Sequence, residues 1–136
     1  MSLVVPQLNG EILMLKYIVG LTEAGNQILH LYSSPTTQPN NGIVLSNISE
    51  VSTLTGYSPV TLQTANWTVT NQSGQTSATY TQQTFPFTSA ATAYGYYVTD
   101  TSTPQNLLWI EQFSGAPFTI PSGGGSISIT PQLTLS

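Results

Sequence analysis

Residues Tyr94 to Phe113, YGYYVTDTSTPQNLLWIEQF, concentrate the large apolar side chains of the chain, and their reading decides the fold. The first arm, Tyr94 to Thr99, is aromatic and β-branched, and the second, Leu107 to Phe113, is nearly all large and apolar. Asp100 to Asn106, between them, are turn formers that bury little. The stretch therefore predicts a β-hairpin. Strict alternation along the second arm puts Leu108 and Ile110 on one face and Leu107, Trp109 and Phe113 on the other, with Glu111 as the lone charge. A strand apolar on both faces must be covered on both, which places it in the middle of a sandwich or at an interface.

Working outward, QILHLYS from Gln27 to Ser33 alternates as a second strand, with Ile28, His30 and Tyr32 on one face and Leu29 and Leu31 on the other. Residues 33 to 42, SSPTTQPNNG, read as a loop, Ile43 to Leu45 as a short strand, and Ser46 to Gly56 as a polar connection. Strands are predicted at Val60 to Thr64, Trp67 to Thr70 and Ser77 to Phe87, with a turn at Asn71 to Gly74. Pro86 marks the last of these as an edge or a strand end. Phe118 to Ile120, Ser126 to Thr130 and the closing Leu133 and Leu135 complete the series, with Gly123 to Gly125 as a turn. Strands at this spacing predict a mainly β protein, a β-sandwich or jelly roll. No fixed-period repeat points to a propeller or solenoid.

The N-terminus reads differently. Residues 1–8 predict an extended arm, since Pro6 disfavours helix in the residue before it. A short amphipathic helix follows over Asn9 to Val19, with Asn9 as N-cap, Gly20 in the C′ position and Leu8, Ile12, Leu15 and Val19 on one face. Residues 9–136 are then a single sandwich domain. ILMLKYIV would also serve as a strand. The face opposite the stripe carries Met14, Tyr17 and Ile18, an apolar surplus that points to a neighbouring chain.

The 136-residue chain is long enough to bury a core without metal or disulfide. Its charged residues are 4% of the total, while Ser and Thr make up about a quarter. Lys16 is the sole basic residue, which excludes the phosphate contacts of nucleic-acid binding and attachment to anionic membranes. So neutral a surface favours association. With no cysteine there is no disulfide framework. Met1 to Asn9 lacks the basic region of a secretory signal, and Ile12 to Leu21 is too short to span a bilayer. We expect a product that is not exported by a cleaved signal.

Catalytic patterns are weak. The five acidic residues, Glu11, Glu23, Glu50, Asp100 and Glu111, form no close pair in sequence for glycoside hydrolysis. Glu111 stands out among apolar neighbours, but a rim carboxylate bonded by hydroxyls explains it more simply. His30, the only histidine, would need an unusual ligand set to bind zinc. A triad of His30, Asp100 and a serine lacks any G-x-S-x-G elbow, and Gly123 to Gly125 is followed by Ser126 and Ile127 where a P-loop needs Lys and then Ser or Thr. We expect no enzyme activity, cofactor or metal. Tyr94, Tyr96, Tyr97, Trp67 and Trp109 could stack on sugar rings, although aromatics at alternate strand positions favour core or interface.

The order of LNGEILMLKYIVG, ILHLYSS, GYSPVTLQTANWTVT and YGYYVT…LLWIEQFSGAPFTIPSGGGSISITPQLTL resembles tailed-phage (cyanophage-like) capsid decoration or cement proteins. The resemblance implies a β-sandwich made in the host cytoplasm that binds the outside of the virion shell, as a homotrimer, and clamps major capsid protein subunits. Leu3, Val4, Val5, Met14, Tyr17, Ile18, Tyr94, Tyr96 and Trp109 are the interface candidates. The alternative is a glycan- or receptor-binding domain of a tail fibre or adhesin, and a hydrolase is third.

Overall fold

The structure is a computed structural model that describes residues 3–34 and 40–135. In chain order the strands are β1 (Leu3–Val4), β2 (Gln27–Tyr32), β3 (Val60–Leu62), β4 (Thr68–Gln72), β5 (Gln75–Thr79), β6 (Gln83–Phe87), β7 (Ala91–Ala93), β8 (Gly95–Asp100), β9 (Leu107–Gln112), β10 (Phe118–Ile120), β11 (Gly125–Ile129) and β12 (Gln132–Leu135). One α-helix, α1 (Ile12–Ile18), follows a π-helical turn at Gln7–Glu11. The fold is mainly β, antiparallel and sandwich-like, with a short N-terminal helix.

The 94–113 hairpin is the middle of the largest sheet, whose order is β1-β9-β8-β2-β3. Its alternation breaks once. Val98 pairs with Trp109 but Thr99 pairs with Leu107, so Leu108 is the extra residue of a β-bulge. Leu108 and Trp109 therefore share one face and Leu107 and Ile110 the other, correcting the strict alternation. On the first face Leu29, Leu31, Tyr96, Val98 and Trp109 pack with Phe85, Phe87, Ile120 and Ile129, side chains of the small sheets β6-β11 and β7-β10. The other face carries Tyr32, Tyr97, Leu107 and Ile110, covered by Ile43, Leu45 and Ile48 from the following loop. Both faces of the hairpin are thus buried within one chain.

Other boundaries moved. Residues 77–87 form two strands, because Tyr80 to Gln82 break the ladder: β5 pairs with β4 and β12, and β6 pairs with β11 alone. Pro86 lies in that two-stranded sheet, where a missing N–H costs little. Ser73 and Gly74, with φ of 53° and 79°, turn β4 into β5. Ile43 to Leu45 is no strand; Leu45–Asn47 is a 3-10 turn with Asn47 Oδ1 accepting from Val44 N at 3.2 Å. The expected loop at 33–42 includes residues 35–39, outside the described residues. β7 and its pairing with β10 were not foreseen.

The expected extended arm, where the structure describes it, is laid along the main sheet. Leu3 and Val4 pair with Glu111 and Ile110 as the edge strand of the main sheet, and Pro6 is fully buried. Helical backbone starts at Gln7, two residues before the expected start, and Asn9 caps nothing: the N-cap position is Pro6, without a side-chain bond. The end is as expected. Gly20 has φ +76°, its N–H reaches the Tyr17 carbonyl at 3.2 Å, and Leu21 N–H reaches Lys16 at 2.9 Å, a Schellman closure.

Candidate functional site

The helix sits on the sheet with the opposite face from the one its periodicity first indicated. Leu13 packs against the core, Met14 and Tyr17 are half-buried, and Gly10 lies so close to the Leu108 carbonyl that a Cβ there would clash. The expected inward stripe faces solvent instead: Leu8 is 62% exposed, Ile12 45%, Leu15 64% and Val19 66%, with Ile18 and Leu21 beside them at 77%. Apolar residues scattered singly need no explanation, but a contiguous row of this kind marks a contact surface. Glu11 and Lys16, exposed on the same segment, make no ion pair among the described residues.

A second constellation is buried beside the main sheet. His30, only 4% exposed, presents Nδ1 to Glu50 Oε1 at 2.8 Å and Nε2 to Thr99 Oγ1 at 2.9 Å. The Tyr97 ring stacks on the imidazole, with centroids 4.5 Å apart and planes 4° from parallel. Tyr57 donates its hydroxyl to Glu50 Oε1 at 2.8 Å and accepts from Leu31 N at 3.0 Å. Burial alone would raise the Glu50 carboxyl, but the bonds from His30 and Tyr57 outweigh it and hold the group below its ordinary value. Burial in turn pushes the Tyr57 and Tyr97 hydroxyls far up, with the Glu50 charge adding to it. The acid–imidazole–hydroxyl order has the outline of a nucleophilic triad. Thr99, however, is 0% exposed, so no substrate reaches its hydroxyl in this conformation. The arrangement ties residue 50 to β2 and β8.

Asp100 is not part of it. Its carboxylate accepts from Ser102 N and Oγ and from Asn106 N and Nδ2, at 2.7 to 3.2 Å. Burial would raise it, but those bonds prevail and lower it, which ties down the hairpin loop. Glu111 is half-buried on β9, where burial pushes its carboxyl up against an opposing effect of Tyr96. No cluster of three or more His, Cys, Asp or Glu suited to a metal occurs among the described residues. Among the same residues, no helix is long and apolar enough to cross a membrane.

The interface candidates separate into three groups. Tyr96 and Trp109 are core residues, 1% and 6% exposed, so the expectation that they face a partner is corrected: within the same chain Trp67 meets Trp109 edge-on and the Gln132 carbonyl of β12 accepts from the Tyr96 hydroxyl. Leu3, Val4, Val5 and Tyr94 are half-buried against the chain's own clusters, and Met14 and Tyr17 face inward. Ile18 alone is openly exposed. The residues missed were Leu8, Ile12, Leu15, Val19 and Leu21; the spacing of the first four was seen, but the side they face was not. Trp67, half-buried, meets Tyr80 and Trp109 edge-on and donates Nε1–H to Gln27 Oε1 at 2.9 Å, which leaves no open aromatic platform with Trp109. Comparison of the chain with protein-family models, with curated proteins and with solved structures finds no match.

Proposed function

We propose that this chain is a structural protein of a virus particle, a decoration protein that binds the outer surface of a tailed-phage shell and stabilises contacts between major capsid protein subunits. The exposed apolar row on the N-terminal helix carries this reading: a protein that works by burying surface against other subunits needs such a row, and a self-sufficient monomer does not. The neutral, hydroxyl-rich composition supports it, because contacts made without charge are insensitive to charge patterning on a shell. Clamping follows by mass action. A ligand that spans two subunits binds only the intact shell, so rupture must also break its contacts. Self-association would multiply each contact.

The test is location. Antibody against the folded chain should label the outside of intact phage particles that carry its gene, and particles lacking the chain should rupture at a lower temperature. Label confined to the tail, or absent from particles, overturns the reading. Of the aromatics that the glycan-binding alternative would use, Tyr96, Tyr97 and Trp109 are buried and Trp67 and Tyr94 are half-buried.

A further inference from the structure

We infer that the exposed face of the N-terminal helix docks a second copy of this chain, with the two helices parallel. The inference rests on the reading of this face as an assembly surface and names its occupant. Ile12, Leu15 and Val19 recur at intervals of 3 and 4, the a/d spacing of a coiled-coil seam, with Leu15 at d and Ile12 and Val19 at a, and Leu8 on the preceding π-helical turn extends the exposed row. In the same frame Leu13, Met14 and Tyr17 occupy b, c and f, the side away from the seam; Leu13 packs against the core and Met14 and Tyr17 are half-buried. The molecule therefore holds the helix by its back and offers the seam to solvent.

Charge selects the occupant. Glu11 falls at g and Lys16 at e, five positions on. Between parallel helices in register, a g residue faces the e residue of the partner's next heptad, so Glu11 of each copy meets Lys16 of the other. Antiparallel packing would set g against g and e against e, bringing Lys16 to Lys16. The only basic residue of the chain thus sits where a parallel second copy supplies its counter-ion, and neither residue has a partner within its own described chain. β-branched residues at a with leucine at d favour a pair of helices over a trio. Ile18 and Leu21, each 77% exposed, add apolar surface beside the seam.

The chain lacks cysteine, which makes the test clean. Oxidised Ile12→Cys should cross-link copies at equal positions along the seam, while Val69→Cys, more open at 67% exposure on β4 than Ile12 at 45%, should not. By sedimentation over a dilution series, Leu15→Lys should weaken association at least about tenfold, with the same thermal midpoint as the parent at dilutions where both are monomeric, since it removes an exposed seam residue. Glu11→Lys should weaken it roughly several-fold and Glu11→Lys with Lys16→Glu should restore it. A monomer at all concentrations, cross-linking at residue 12 no better than at residue 69, or a double reversal no better than the single, overturns the proposal. Particle labelling separates the two readings: a monomer that still decorates shells sinks only the self-docking, and an oligomer absent from particles sinks only the virion assignment.

Discussion

Tyr57 shows how one side chain closes a gap in the ladder. β3 pairs with β2 only as far as Leu29, so beyond that point β2 turns its backbone groups toward an unpaired edge. The Leu31 carbonyl takes the Val51 N–H at 3.0 Å, and the Leu31 N–H finds the Tyr57 hydroxyl, itself 2% exposed with its residue. Tyr57→Phe keeps the ring against Phe85 and Phe87 but orphans that N–H and one bond to Glu50. The expected cost is about 1–3 kcal/mol by denaturant unfolding; a neutral substitution would mean that water replaces the phenol. Glu50 adds a pH dependence. Its folded carboxyl lies below the ordinary 4.5, so its contribution is complete above that value and is lost as pH falls through the lowered one. Because the side chain is 37% exposed, solvent screens the effect to on the order of 1 kcal/mol. Glu50→Gln should therefore lower the thermal midpoint at pH 7 and differ less and less from the parent below pH 4.5. A gap between the two that widens on acidification would reverse the assigned sign.

At the scale of elements, the sequence revealed what period and turn chemistry can reveal. β2 and the β8-β9 hairpin were legible because their alternation and their polar loop agree. The bulge at Leu108 was not, since adding one residue to a ladder leaves no mark in a run that is apolar at every position. Helix orientation failed for a related reason. Leu8, Ile12, Leu15 and Val19 make one apolar stripe while Leu13, Met14 and Tyr17 make another, so periodicity finds the helix without choosing its buried side. The His30 constellation was invisible because Glu50 lies in a polar connection and reaches His30 only through the bridge between Tyr32 and Glu50. β1 carries a consequence for truncation. Residues 1–8 include an edge strand, the buried Pro6, and Leu3 and Val5 packed on the core. Their removal should destabilise the domain by roughly 2–4 kcal/mol, from lost burial and the groove left behind. Thermal unfolding of the truncated chain checks this, and an unchanged midpoint would mean that residues 1–8 contribute nothing to the fold.

Across the whole molecule, the scarcity of charge sets how association must respond to salt. A net charge of −4 over 136 residues leaves little repulsion between copies, and the proposed seam holds one Glu11–Lys16 contact in each direction. Exposed ion pairs of this kind contribute about 0.2–1 kcal/mol each. Screening both should therefore weaken a symmetric pair by roughly twofold to at most about thirtyfold, and relief of the residual repulsion offsets part of that. The apolar seam responds the other way to a salt excluded from protein surfaces. Sedimentation equilibrium in sodium chloride and in sodium sulfate at matched ionic strength should separate the two effects. Association should be nearly flat or slightly weaker in chloride and stronger in sulfate. Steep loss in both salts would place the contact on charged groups, and with a single basic residue per chain the surface offers too few of them to hold copies together that way.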